Sequence, residues 1–180
     1  MRVIVTGATS FIGSHAVQTL INQGFEVCAL IRPNSAGKKN LEHMIIKKEL
    51  LEIIECELSG LKELAVNAEK LSKIGQKWSH NLGRADYWLH LGWDGSGSDN
   101  RKLADIQSMN AVYALDALET AAAAHCKRFL FCGSQAEYGV RNTTMRETDE
   151  LHPLSEYGKA KAKVGRAVSY THLRAHETRH

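Results

Sequence analysis

A glycine-containing loop near the N-terminus is the feature that most constrains the fold. The loop Gly7–Gly13 joins the apolar, β-branched run Arg2–Thr6, typical of a buried strand, to a helical spacing of apolar residues over Ile12–Gln23. A helix that starts directly after such a turn points free N–H groups at a bound phosphate. We predict a dinucleotide site here, in which Gly7 permits the tight turn and Gly13 lets helix and strand pack closely.

Strand-like and helix-like segments alternate along the rest of the chain. Strands are predicted at Glu26–Ile31, Leu51–Cys56, Ala85–Leu91 and Arg128–Cys132, and helices at about 38–49, Lys62–Ile74, Lys102–His125 and from Ser155 onward. This alternation predicts an α/β fold, a Rossmann-type doubly wound parallel sheet of which about five strands are present.

Composition narrows the function classes. The 180 residues are 43% hydrophobic and 24% charged, which are ordinary globular values. The net charge of +3 is too small and scattered for nucleic-acid binding. We see no membrane span and no secretory signal, so we expect a cytoplasmic protein. The four cysteines lie far apart with no C-x-x-C pair, and we predict no metal site.

The final segment has an unusual sequence. Val168–Thr178, VSYTHLRAHET, matches one reading frame of a common transposon sequencing adapter. We therefore interpret 168–180 as a non-native, adapter-derived tail and leave it out of the fold prediction.

The end of the second predicted strand bears on the choice of cofactor. An acidic residue there would bind the adenosine ribose, but this chain has Ile31 followed by Arg32. A guanidinium can pair with a 2′-phosphate, so Arg32 favours NADP(H) over NAD(H); otherwise it is a solvated loop residue.

A second set of polar residues lies beyond the fifth predicted strand. Tyr157 and Lys161 form Y-x-x-x-K and share a helix face, where an ammonium stabilises a phenolate for proton exchange with a substrate oxygen. Ser134 follows a strand end, where ligands bind in α/β sheets; it could orient the substrate oxygen or merely cap a turn.

Together these features resemble the extended short-chain dehydrogenases/reductases, and more narrowly their NAD-dependent epimerase/dehydratase, or nucleotide-sugar, branch. The resemblance covers residues 1–167 and includes a structural asparagine at Asn110. It implies that 1–167 is an incomplete NAD(P)-binding domain whose C-terminal substrate lobe is missing. It implies the catalytic set Ser134, Tyr157 and Lys161. It also implies cofactor contacts from Gly7, Ser10, Phe11, Ile12, Gly13, Arg32, Glu57, Leu91, Gly92, Trp93, Tyr157 and Lys161. Ser10 replaces a glycine of the family pattern, and its side chain either crowds the phosphate or bonds to it.

The resemblance also implies a reaction class. Gln135 and Ala136 stand where the family's 4,6-dehydratases carry an Asp-Glu pair, so dehydration is not expected. The expected activity is 4-keto reduction or 4-epimerisation of a nucleotide sugar, in a parent protein about twice this length that forms homodimers. The chain itself is expected to have little turnover. The alternatives are an NADP-dependent reductase of a non-sugar carbonyl compound and a non-enzymatic NADP-sensing protein.

Overall fold

A computed structural model describes residues 1–64, 85–95 and 97–177 of the chain. The strands are β1 (Arg2–Thr6), β2 (Glu26–Ile31), β3 (Leu51–Glu55), β4 (Tyr87–His90) and β5 (Arg128–Phe131). The principal helices are α1 (Phe11–Asn22), α2 (Lys38–Met44), α3 (Ala104–Ala123) and α4 (Glu156–Glu177). Of the helix predicted at Lys62–Ile74, residues 62–64 are helical, and the rest lies outside the described residues.

The five strands form one sheet in the order β3-β2-β1-β4-β5. The pairings of β1 with β2, β1 with β4, and β2 with β3 are parallel, with Val3 opposite both Val27 and Tyr87. The strand order reverses beside β1, and in open α/β sheets ligands bind at the carboxyl ends of the strands at such a point. The predicted Rossmann-type sheet with five strands is confirmed.

The chain divides into two compact units. The first contains Met1–Gly92 and Asp116–Leu130, and the second contains Trp93–Leu115 and Phe131–His180. The core of the first unit is aliphatic and includes Val3, Val5, Val17, Ile21, Val27, Ala29, Ile31 and Leu41. The core of the second unit is smaller and packs Ala111, Ala114, Ala160 and Val164 with the partly buried Trp93, Phe131 and Val168.

Local chemistry explains where the elements end. Gly24 follows α1 with φ +82°, in the left-handed region that glycine adopts without a steric cost and that often ends a helix. The prediction of a helix through residue 49 was too long, because Ile45 takes an extended conformation and its buried side chain joins the first core. His125, with φ 57°, likewise follows α3. No helix in the described ranges is both long and apolar enough to cross a membrane.

The backbone of α4 continues through the segment that we interpret as an adapter-derived tail. The helix runs to Glu177, and Val168 packs on the second core. A helical backbone says nothing about the origin of these residues, so the interpretation stays a prediction.

Candidate active site

The glycine loop of the first unit is a close backbone approach. Gly7 has φ +70°, and a Cβ there would lie 2.8 Å from the Gly92 nitrogen and from the Leu91 carbonyl carbon. A Cβ on Gly13 would lie 2.1 Å from the carbonyl oxygen of Gly7. Both positions therefore require glycine, and they bring the loop against the backbone at the end of β4.

Ser10 is the N-cap of α1. Its Oγ accepts a hydrogen bond from the Gly13 N–H at 3.0 Å, and its backbone is extended. The Ser10 side chain thus pairs with the Gly13 N–H, one of the N–H groups at the start of the helix that we predicted to face a phosphate. Phe11 and Ile12, the first residues of the helix, are 82% and 62% exposed, so this helix end is open.

The loop after β2 lies beside the glycine loop. The Thr9 and Ser35 hydroxyl oxygens are 2.9 Å apart, and a Cβ on Gly37 would lie 2.8 Å from the Thr9 carbonyl oxygen. Arg32, at the start of the loop after β2, is exposed. Lys38, a further basic residue of this region, forms an ion pair with Glu55 at 2.7 Å.

The carboxyl end of β4 completes the backbone cradle of the first unit. Thr6 Oγ1 lies 2.9 Å from Nδ1 of the buried His90 and accepts a hydrogen bond from the Gly92 N–H at 3.3 Å. A Cβ on Gly92 would lie 2.8 Å from a methyl group of Leu58, which follows the exposed Glu57. These contacts place the predicted residue Gly92 against the end of β1 and against Leu58, the residue after the predicted Glu57.

Lys161 is the buried charge of the second unit. Its side chain reaches the end of β5, where Nζ donates a hydrogen bond to the Cys132 carbonyl oxygen at 3.0 Å. The residue is 5% exposed, and this desolvation lowers the pKa of its ammonium to about 8, while Cys132 and Glu137 act in the opposite direction. A lysine that titrates this close to neutrality is a candidate functional group.

Tyr157 lies one turn before Lys161 on α4, as the Y-x-x-x-K spacing predicts. The Lys161 Nζ is 5.8 Å from the centroid of the Tyr157 ring. Trp93 contacts the same tyrosine edge-on with ring centroids 5.9 Å apart, and the Arg101 guanidinium lies 4.8 Å from its ring centroid. Tyr157 is half-buried, so its ring is held on several sides and still reaches solvent.

Ser134 begins a short 3-10 turn, Gln135–Glu137. Its Oγ accepts a hydrogen bond from the Ala136 N–H at 3.2 Å, and its own N–H donates to Glu137 Oε1 at 2.6 Å. The Ser134 hydroxyl thus caps a turn, which was the alternative role considered from the sequence. Its O–H can still donate a hydrogen bond to another group.

The sequence did not predict a role for three polar residues of the second unit: Glu137, Gln107 and Arg101. Glu137 is buried at 8% exposure, and its spacing from Ser134, S-x-x-E, is a capping-box signal that could have revealed it. Gln107 and Arg101 carried no such signal. Asn110, by contrast, was predicted to be structural. Its amide nitrogen donates a hydrogen bond to the Asp94 carbonyl oxygen at 2.7 Å, and its Oδ1 accepts one from the Asp94 N–H at 2.8 Å, which holds the loop after β4.

Comparison with known proteins assigns the family. The model of the NAD dependent epimerase/dehydratase family matches residues 3–175, nearly the whole chain. The chain belongs to this family. It is a family of NAD-dependent enzymes. The glycine loop of the chain lies in the first unit, and the Tyr157–Lys161 pair lies in the second.

Individual relatives are similar at low identity. A UDP-glucose 4-epimerase of Pisum sativum is 25% identical over 89% of this chain and 44% of its own length. A GDP-mannose 4,6 dehydratase of Cricetulus griseus is 22% identical over 88% of this chain and 42% of its own. The UDP-Glc/GlcNAc 4-epimerase structure from Campylobacter jejuni superposes with a TM-score of 0.79 at 20% identity, over 96% of this chain and 49% of that one. The chain thus spans about half the length of these relatives.

Proposed function

We propose that the full-length protein containing this chain interconverts or reduces a nucleotide sugar at C4, with Tyr157 as the acid/base and NADP(H) or NAD(H) as the hydride carrier. The observation that carries the proposal is the buried Lys161 ammonium beside the Tyr157 ring at the end of β5. A cation fixed there stabilises the phenolate that remains after the tyrosine gives up its proton.

The first unit fits a dinucleotide. A Cβ at Gly7 or Gly13 would collide with backbone, so these glycines leave a cradle in which a pyrophosphate can approach the start of α1. The bound dinucleotide would supply hydride chemistry. The residues of this unit that would hold it are the loop Gly7–Gly13, Arg32, Glu57, Leu91 and Gly92.

The residues of the second unit move and hold a proton. In reduction, the Tyr157 hydroxyl donates its proton to the oxygen of the substrate carbonyl as hydride adds to the carbon, and Lys161 stabilises the resulting phenolate. In the reverse direction the phenolate removes the hydroxyl proton. Ser134 donates its O–H to the same substrate oxygen and orients it.

The chemistry of the turn after Ser134 supports epimerisation or reduction over dehydration. Gln135 and Ala136 cannot serve as the acid and base that water elimination needs. UDP-glucose is named for the relative from Pisum sativum, and a UDP-sugar is therefore the first substrate class to test.

Substitution of Tyr157 tests the activity. In the full-length protein, Tyr157→Phe is expected to lower turnover of UDP-sugars by at least about a hundredfold, because the acid/base is lost. The dissociation constant for the dinucleotide should change little, which separates chemistry from binding. Unchanged turnover in Tyr157→Phe would contradict the assignment.

Arg32 tests the choice of dinucleotide. We propose that its exposed guanidinium pairs with a 2′-phosphate, so that NADP(H) binds more tightly than NAD(H). Arg32→Asp should reverse the preference, since a carboxylate repels the phosphate and accepts from the ribose hydroxyls. Dissociation constants for both dinucleotides are measured by calorimetry, with the nearby Lys39→Asp as the charge-matched control. An unchanged ratio in Arg32→Asp would refute the NADP(H) preference.

A further inference from the structure

Three aromatic rings surround the Lys161 ammonium. Nζ lies 3.8 Å from the centroid of the Trp93 ring, 4.6 Å from that of Phe131 and 5.8 Å from that of Tyr157. We call these three rings the aromatic cage. Because a buried ammonium has lost most of its water, the negative faces of the rings replace part of its hydration. Trp93 is the nearest member, and indole is the strongest cation-binding ring.

The orientation of the Trp93 ring is fixed by a buried glutamine of α3. The indole Nε1–H donates to Gln107 Oε1 at 2.9 Å, and Gln107 is 1% exposed. The Gln107 amide nitrogen donates to the carbonyl oxygens of Gly95 and Asn100 at 3.2 and 2.9 Å. These two carbonyls can only accept, so they settle which end of the amide faces the indole.

The same ring contacts both members of the Y-x-x-x-K pair. Trp93 meets Tyr157 at an interplanar angle of 83°, an edge-to-face packing that aromatic pairs prefer, while Lys161 lies over its face. The other groups that act electrostatically on Lys161 are Cys132 and Glu137. The Arg101 guanidinium also lies over the Tyr157 ring, but the indole contacts both Tyr157 and Lys161.

We infer that the Trp93 side chain is a positioning residue: held by Gln107, its indole fixes the Lys161 ammonium and the Tyr157 ring in the arrangement that proton transfer requires. The role in proton transfer rests on the proposed function. The placement of Lys161 over the indole does not, and it is tested separately.

Nuclear magnetic resonance of the lysine side chains tests the placement on the chain as it stands. The protons of Lys161 next to Nζ should resonate upfield of those of other lysines, because they lie over a ring face. Lys161→Arg assigns the signal. Trp93→Phe should retain much of the upfield shift. Trp93→Leu should reduce it to the smaller part that the more distant Phe131 and Tyr157 rings supply. Trp88→Phe is the matched control, since Trp88 is fully buried in β4 of the first unit.

Kinetics of the full-length protein test the positioning role. Trp93→Leu should lower kcat by about tenfold or more, since a small misplacement of catalytic groups is costly, with less than a twofold change in KM. Trp93→Phe should recover much of that loss. A Lys161 signal without an upfield shift, or one that Trp93→Leu leaves in place, would overturn the inference, as would a change in KM alone. If the full-length protein neither binds the dinucleotide nor turns over, the proposed function fails, and the resonance still decides the placement.

Discussion

The candidate sites of the two units are formed by different kinds of groups. The candidate site of the first unit is made of backbone: glycines in contact with backbone, an exposed helix end and a serine cap. The candidate site of the second unit is made of side chains, with a buried ammonium, a buried carboxylate and three rings. An added side-chain atom would collide with backbone in the first site, whereas the second site depends on the charges of its side chains. The two should therefore fail under different substitutions.

The largest expected effect is steric and belongs to the first unit. Gly13→Val should destabilise the protein by about 3 kcal/mol or more, because its Cβ would lie 2.1 Å from the Gly7 oxygen and backbone would have to move. Urea unfolding monitored by circular dichroism measures the change. Gly97→Ala is the control, as a Cβ there meets nothing within 4 Å. Equal stability for Gly13→Val and wild type would show that the loop is not packed as described.

Charge rather than volume should dominate in the second unit. Replacing Lys161 by Met removes a desolvated charge while keeping an apolar stem, so the variant should be as stable at pH 7 as the wild type or more stable by about 1–3 kcal/mol. Denaturant unfolding compares the two proteins. A loss of several kcal/mol would mean that the ammonium stabilises the fold, contrary to this account.

The same pair of proteins should diverge with pH. The Lys161 pKa is about 8 when folded and 10.5 for an ordinary lysine, so between these values the unfolded state binds the additional proton. The contribution of Lys161 to stability therefore rises with pH by about 3 kcal/mol across that window. Desolvation raises the pKa of the buried Cys28 thiol and of the half-buried Cys126 thiol to about 12, so both lower stability above pH 9 in both proteins and cancel in the comparison. A difference between wild type and Lys161→Met that stays constant from pH 7 to pH 10.5 would rule out the buried charge.

A smaller effect is expected at the turn after Ser134. Glu137→Gln keeps an acceptor for the Ser134 N–H but loses the charge, so we expect a loss of about 1 kcal/mol. It should also lower the pKa of Lys161 further, because Glu137 favours the charged lysine. Glu156→Gln, whose carboxylate pairs with Lys159 in solvent, is the control and should leave both quantities almost unchanged.

The smallest effect should sharpen the description of the glycine loop. Ser10→Gly restores the glycine of the family pattern and frees the Gly13 N–H, at a cost of only a few tenths of a kcal/mol in stability. Affinity for the dinucleotide should rise a few-fold, because one more donor faces the phosphate. Weaker binding would show that the Ser10 hydroxyl itself contacts the phosphate, the other role considered from the sequence.

Local sequence patterns predicted the strands and helices better than they predicted the contacts within the candidate site. The β-branched runs predicted β1 and β2 to the residue, because buried parallel strands need continuous apolar side chains. The Tyr157–Lys161 pair was also readable, since helix geometry alone brings these residues together.

The rest depends on tertiary packing, which spacing along the chain does not encode. Gln107 reaches Trp93 from another element across 14 positions, and Lys161 finds its carbonyl acceptor 29 positions away. Trp93 was predicted only as a cofactor contact, while its side chain makes the contacts with Lys161 and Tyr157. Lys38, six residues after Arg32, pairs with Glu55, a residue 17 positions further along the chain.

Calorimetric titration of the chain with NADP(H) and NAD(H) tests the central claim most directly. We expect saturable binding of one dinucleotide per chain by the wild type, retained in Tyr157→Phe and abolished in Gly13→Val. Absence of binding by a folded wild-type chain, or equal binding by a folded Gly13→Val variant, would contradict a dinucleotide site at the glycine loop.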